Sequence, residues 1–274
     1  MKIELASSYG FCFGVKRAIK IAENAGDAAT IGPLIHNNEE INRLATNFNV
    51  KTLNGINELK DEKKAIIRTH GITKNDLAEL KKTKNKVIDA TCPFVTKPQQ
   101  ICEDMSNAGY DVVIFGDENH PEVKGVKSYA SGKVYVVLDE SELEGVKFRQ
   151  KVALVSQTTR KVEKFMQIAN YLMLRVKEVR VFNTICNATF ENQEAVKNLA
   201  KRADVMIVIG GKNSSNTKQL YLISKNFCED SYLIESEHEV EKSWFEGKNL
   251  CGISAGASTP DWIIQKVVDA IEKF

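Results

Sequence analysis

The chain has no paired-cysteine motif: its six cysteines stand at 12, 92, 102, 186, 228 and 251, and no two form CxxC. That removes the zinc-ribbon and thioredoxin-like readings. Six thiols in 274 residues are too sparse for a disulfide-stapled secreted scaffold, so reduced thiols are expected. Any metal site must therefore be assembled from distant positions. Long apolar runs are missing too, with nothing near the ~20 residues a membrane span needs. Charge of one sign is scarce: 38 basic and 36 acidic residues leave +2, no field for nucleic acid or an anionic membrane. GxGxxG and the GxxxxGK loop are both absent, so neither a dinucleotide nor a nucleoside triphosphate is indicated. No Pro- or Ser-rich linker separates modules, and the charge runs KDEKK (60–64) and KKTKNK (81–86) read as solvated turns and helix ends. These absences describe a cytoplasmic protein with neither nucleic acid nor membrane as a partner.

What is present is a 43% apolar chain, enough for a real core, in which short β-rich runs alternate with helical patterns. Eleven runs read as strands: KIELAS, AATIG, KAIIRT, NKVIDAT, DVVIFG, VYVVL, KVALVSQ, EVRVFNT, DVMIVIGG, SYLIE and NLCGISA. Between them, segments such as VKRAIKIAENA and KVEKFMQIANYLML carry helical spacing. Alternation of this kind predicts an α/β fold of βαβ units with mostly parallel sheets and functional groups at the carboxyl ends of strands.

Those ends repeat. VIDATCPFVTKPQQI and VFNTICNATFENQEAV both run from apolar strand through a small polar residue and cysteine into a helix, and IELASSYGFCFGVKRAI does so over a longer turn. Cys12, Cys92 and Cys186 thus occupy equivalent positions. The next polar strand ends follow at His36, His120 and Ser214, offsets of 24, 28 and 28 residues, and then at His70, Thr158 and Ser258, offsets of 58, 66 and 72. The expectation is three pseudo-equivalent α/β lobes, residues 14–92, 93–186, and 187–274 with 1–13, acting as one functional unit around a shared centre.

Three convergent thiols can bind zinc, form a redox set or hold an iron–sulfur cluster. Structural zinc takes four ligands, so three isolated cysteines fit it poorly. A 4Fe-4S cube held by three would leave one iron open. Cys102, Cys228 and Cys251 lack the repeat position and read as packing residues. His36, His70, Ser214, Ser215, Asn216 and Ser258 are short donors in Gly- or Asn-containing turns, suited to phosphate oxygens beside helix starts. Singly each is an ordinary cap or packing residue; their recurrence favours a site for a small phosphorylated metabolite. Glu122, two residues after His120, is placed for general acid work.

GFCFGVKRAI, GPLIHN, RTHG, DATCPFVTK, HPEVKG, SQTT, TICNATFENQEAV, GGKNSSN and SAGASTPDW, in this order from about residue 3 to 270, together resemble the LytB family of 4-hydroxy-3-methylbut-2-enyl diphosphate reductases. The resemblance implies three lobes around a central 4Fe-4S iron-sulfur cluster on Cys12, Cys92 and Cys186, with one open iron. It also implies a two-electron reductive dehydroxylation giving isopentenyl and dimethylallyl diphosphates, the last step of the methylerythritol phosphate route. By motif, His36, His70, Ser214, Ser215, Asn216 and Ser258 would hold the diphosphate, while Glu122, His120 and Thr158 would manage protons in contact with substrate. Gln157 is a further pocket candidate. Reduced ferredoxin or flavodoxin is the implied electron donor, and the working particle is left open between monomer and dimer. Pro98, Gln99, Gln100 and Asn192 depart from the family pattern, and Pro98 is expected near the first turn of its helix, where a missing N–H costs little. Competing classes are a non-catalytic metal-bound sensor and a zinc hydrolase.

Overall fold

A computed structural model describes residues 1–60 and 62–274; Asp61, inside the KDEKK run, lies outside the described residues. Strands and helices alternate as β1 (Lys2–Leu5), α1 (Phe13–Ala25), β2 (Ala28–Ile31), α2 (Asn38–Phe48), β3 (Val50–Leu53), β4 (Lys64–Ile67), α3 (Lys74–Leu80) and β5 (Lys86–Asp89). The chain continues through α4 (Pro93–Asn107), β6 (Asp111–Phe115), α5 (Pro121–Lys127), β7 (Val134–Val137), β8 (Lys151–Ser156), α6 (Val162–Met173) and β9 (Glu178–Val181). It ends with α7 (Asn187–Ala200), β10 (Val205–Ile209), α8 (Ser215–Phe227), β11 (Ser231–Ile234), β12 (Leu250–Ala255) and α9 (Asp261–Ile271). Among the described residues, no helix is long and apolar enough to cross a membrane.

The chain divides into two compact units. Unit 1 comprises Met1–Lys16, Ile35–Arg43 and Asn187–Phe274; unit 2 comprises Arg17–Leu34 and Leu44–Cys186. Unit 1 holds one parallel sheet in the order β1-β12-β10-β11. Unit 2 holds two, β3-β2-β4-β5 and β7-β6-β8-β9, also parallel throughout. All three sheets share one winding, in which the strand running into a thiol turn (β1, β5 or β9) forms an edge.

Burial follows from that layout. The inner strands β6 (DVVIF) and β10 (VMIVI) are buried at every residue, because helices cover both faces of a parallel sheet. The thiol-bearing edges β1 (KIEL), β5 (KVID) and β9 (EVRV) have no residue buried, and their interspersed charges suit an edge. In unit 2, α4 leaves the first sheet and packs Ile101 and Cys102 against Val112, Ile114 and Val155 of the second.

Two expectations are corrected. The sequence suggested no strand at VKTL, yet β3 pairs with β2 there; it is a four-residue edge whose Lys51 and Thr52 are exposed, so it lacks an apolar signature. Pro98 is not in a first turn: Pro93 takes the first helical position after Cys92, which puts Pro98 in the interior of α4. There its ring removes one rung of the helix hydrogen-bond ladder, the cost the sequence expectation had assigned away.

Candidate functional site

Each thiol is fixed by the same backbone device. The N–H of Cys12 donates to the Ala257 carbonyl (3.3 Å), that of Cys92 to Thr69 (3.0 Å) and that of Cys186 to Thr158 (2.9 Å). Ala257, Thr69 and Thr158 each lie two residues beyond the last residue of the neighbouring strand, β12, β4 or β8. Counting from strand ends also evens out the other offsets: His36, His120 and Ser214 each stand five residues past β2, β6 and β10. His70 and Ser258 stand three past β4 and β12. The residue three past β8 is Thr159, so Thr158 is the counterpart of Thr69 and Ala257, one step from the alignment read off the sequence.

In unit 2, His120 caps α5, its Nδ1 accepting the Glu122 N–H at 3.2 Å, and Pro121 fills the first helical position without needing a partner. This aims Glu122 inward, where it is 2% exposed. Its Oε1 accepts the Thr158 N–H (2.7 Å) and its Oε2 accepts the Thr158 hydroxyl (2.8 Å). Burial pushes the Glu122 carboxyl above its ordinary value near 4.5, opposed by the two Thr158 bonds and by the Arg160 guanidinium. Thr158 thereby serves the acid through its N–H and hydroxyl, and Cys186 through its carbonyl.

Gln157 braces that loop. Buried, it accepts the Asp117 N–H (3.1 Å) and the Arg160 Nε–H (3.0 Å) on one oxygen. Gly116 beside it has no room for a side chain, since a Cβ would lie 2.8 Å from Val123. Burial also pulls the Arg160 guanidinium below its ordinary value, with Asp117 and Glu122 opposing that shift. The His70 and His120 rings meet edge to face at 5.6 Å, which places both imidazoles in one neighbourhood with the acid loop. Arg160 and Thr69 were passed over in the sequence; the only signal for Arg160 was a cation directly after the SQTT motif.

In unit 1, Ser214 caps α8, its Oγ accepting the Thr217 N–H at 3.3 Å. Asn216, 3% exposed, has neither its Nδ2 nor its Oδ1 paired with any described residue, and the same holds for the buried Thr217 hydroxyl. Such groups cost ~1–3 kcal/mol each unless a ligand or water meets them. Ser215 and Ser258 are half-buried, as is His36, whose carbonyl lies so close to Gly211 that a Cβ there would come within 2.3 Å of it. A helix start with buried polar groups lacking partners beside it has the chemistry to meet an anion such as phosphate.

The cysteines fall into two classes. Cys102, Cys228 and Cys251 are buried in the cores; burial pushes the first and third thiols up to about 12 and raises that of Cys228. Deprotonation, which metal binding needs, is costly there. Cys12, Cys92 and Cys186 are only partly buried and form no disulfide. Cysteines at helix starts are of the donor type that an iron–sulfur cluster takes.

A family model described as LytB protein matches residues 3–272. The chain is 98% identical over 274 residues to the 4-hydroxy-3-methylbut-2-enyl diphosphate reductase of Campylobacter curvus, covering both chains completely. It is 90% identical to that of Campylobacter concisus over 273 residues, again with 100% of each chain covered. A solved structure of (E)-4-hydroxy-3-methyl-but-2-enyl diphosphate reductase, the terminal enzyme of the non-mevalonate pathway, superposes with a TM-score of 0.73 at 44% identity over 99% of each chain. The Plasmodium falciparum E-1-hydroxy-2-methyl-but-2-enyl-4-diphosphate reductase gives 0.91 at 27% identity, covering 97% of this chain and 86% of its own. With its motifs, winding and length all matched, the chain belongs to the LytB protein family.

Proposed function

We propose that this protein is a 4-hydroxy-3-methylbut-2-enyl diphosphate reductase acting in the cytoplasm on the non-mevalonate route to isoprenoids. Two electrons and two protons convert the allylic alcohol to isopentenyl or dimethylallyl diphosphate and water. The lobes 14–92, 93–186 and 187–274 with 1–13 work as one unit, with Cys12, Cys92 and Cys186 as ligands of a 4Fe-4S cluster. When bound, the cluster supplies the electrons, received from reduced ferredoxin or flavodoxin, and one iron open to a ligand.

The protein's own residues do the rest. His36, His70, Ser214, Ser215, Asn216 and Ser258 hold the diphosphate, with Asn216 exchanging its unpaired buried state for contact with phosphate oxygens. Holding the chain at one end sets the allylic hydroxyl for reaction, the positioning share of catalysis. Glu122 gives its proton to the departing hydroxyl, which leaves as water, with His120 and Thr158 touching substrate beside it. Burial favours the neutral acid it needs for this. The observation that carries this reading is the junction at Thr158: one residue holds the buried acid by two bonds and the Cys186 backbone N–H by a third.

The test is anaerobic purification followed by assay with the hydroxymethylbutenyl diphosphate and a chemical reductant. A brown protein containing iron and sulfide that forms both products is expected. A colourless zinc protein, or a brown one with no turnover, would overturn the reading.

A further inference from the structure

Within unit 1, one buried carboxylate has no part in the site as described. Glu40, in the first turn of α2, is 1% exposed. Its Oε1 accepts from Arg43 Nη2 (2.7 Å) and its Oε2 from Arg43 Nε (2.9 Å). The same Oε2 also accepts the indole Nε1–H of Trp262 at 3.1 Å, across 222 residues of sequence. Its own N–H donates to the Asn37 side chain at 3.0 Å, which closes the turn directly after His36. Trp262 is the second residue of α9, and Ser258 lies three residues before that helix begins. The carboxylate therefore joins the turn carrying His36 to the turn carrying Ser258.

Stability is a weak reason for such an arrangement. A buried ion pair is often no better than well-packed apolar side chains of similar volume, so its value lies in fixing geometry. The segment Ile35–Arg43 groups with unit 1 although the chain on either side of it belongs to unit 2. At one end of this segment the His36 carbonyl is seated against Gly211, where no side chain fits; at the other, Glu40 meets Trp262. Both fastenings act on the segment that delivers His36.

We infer that Glu40 and Trp262 are positioning residues for the diphosphate: their bond holds the His36 and Ser258 turns at the separation that the anion requires. This rests on the proposed function above. The Arg43 fork holds the carboxylate in place, so that both oxygens stay fixed while one meets the indole. Neither residue touches the reacting atoms, and the effect falls on binding rather than on the chemical step.

Inorganic diphosphate binding by calorimetry, and kcat and KM for the substrate, test this on cluster-loaded enzyme. Trp262→Phe, which keeps an aromatic ring, though smaller than the indole, and removes the N–H, should raise both the diphosphate Kd and KM about three- to tenfold, with kcat within about twofold. Glu40→Leu should match it, while Glu40→Gln, which retains an oxygen for the indole, should fall closer to the parent. For diphosphate binding the double variant Glu40→Leu/Trp262→Phe should be no worse than either single, because the effect on binding runs through the one Glu40–Trp262 bond that both remove. Unchanged Kd and KM in both single variants with a lowered melting temperature would overturn the inference and leave a purely structural role. A parent enzyme that bound no diphosphate and turned nothing over would instead overturn the function on which the inference stands.

Discussion

The turns that carry the proposed site treat their buried polar groups differently in the two units. In unit 2 the site is already satisfied: both oxygens of Glu122 accept hydrogen bonds from Thr158, and the Gln157 oxygen accepts two more. In unit 1 the corresponding strand ends leave Asn216 unpaired at both polar atoms and the Thr217 hydroxyl unpaired beside it. Under the proposed function, this is a division of labour. A group that must hold a proton at a tuned affinity is locked before substrate arrives, since its pKa depends on every neighbour. A group that must grip an anion is left short of partners, so that binding repays its desolvation.

The largest expected effect concerns the thiols common to both units. Cys12→Ser, Cys92→Ser and Cys186→Ser should each abolish turnover and lower bound iron and sulfide, measured by metal and sulfide analysis after anaerobic purification. The same change at Cys102, Cys228 or Cys251 should spare the cluster, because those thiols are buried and hard to ionise. Iron loss from all six variants alike would undo the distinction.

Next in size is Asn216→Leu in unit 1. Removing an amide that has no partner should leave the melting temperature unchanged or raised, while KM rises about tenfold for the loss of hydrogen bonds made only to ligand. A fall in stability with KM unchanged would mean the amide is structural, and the contrast between units would fail.

The smallest effect is on stability in unit 2. The folded-state pKa of Glu122 is raised, so its contribution to stability is fully present below the unfolded value near 4.5 and is lost as pH rises through the folded value. Glu122→Gln removes that loss. Thermal melts should show the variant gaining on the parent as pH increases from acid towards 8, and parallel curves would show that burial does not govern this carboxyl.

Much of this was legible in the sequence because it is local. The thiol turns, the HPEV cap and the SSN helix start each announce themselves within a few residues, and the strand and helix alternation dictates parallel sheets. What was not legible depends on register or on distance. β3 hid because an exposed edge needs no apolar face. Thr158 was aligned one position off because only the end of β8 shows where its turn begins. Pro98 was misplaced because Pro93 already occupies the first helical position. The unpaired state of Asn216 and the bond between Glu40 and Trp262 arise only when segments far apart in the chain pack together, and no spacing rule encodes them.

The most direct test of the division of labour is a single comparison of Glu122→Gln with the parent enzyme, both loaded with cluster, reading kcat and inorganic diphosphate Kd together. Unchanged Kd with kcat lowered about 10²- to 10⁴-fold is the predicted result, the range expected for losing a general acid. A variant that turned over at the parent rate would contradict the account, because the acid held at Thr158 would then have no part in the reaction.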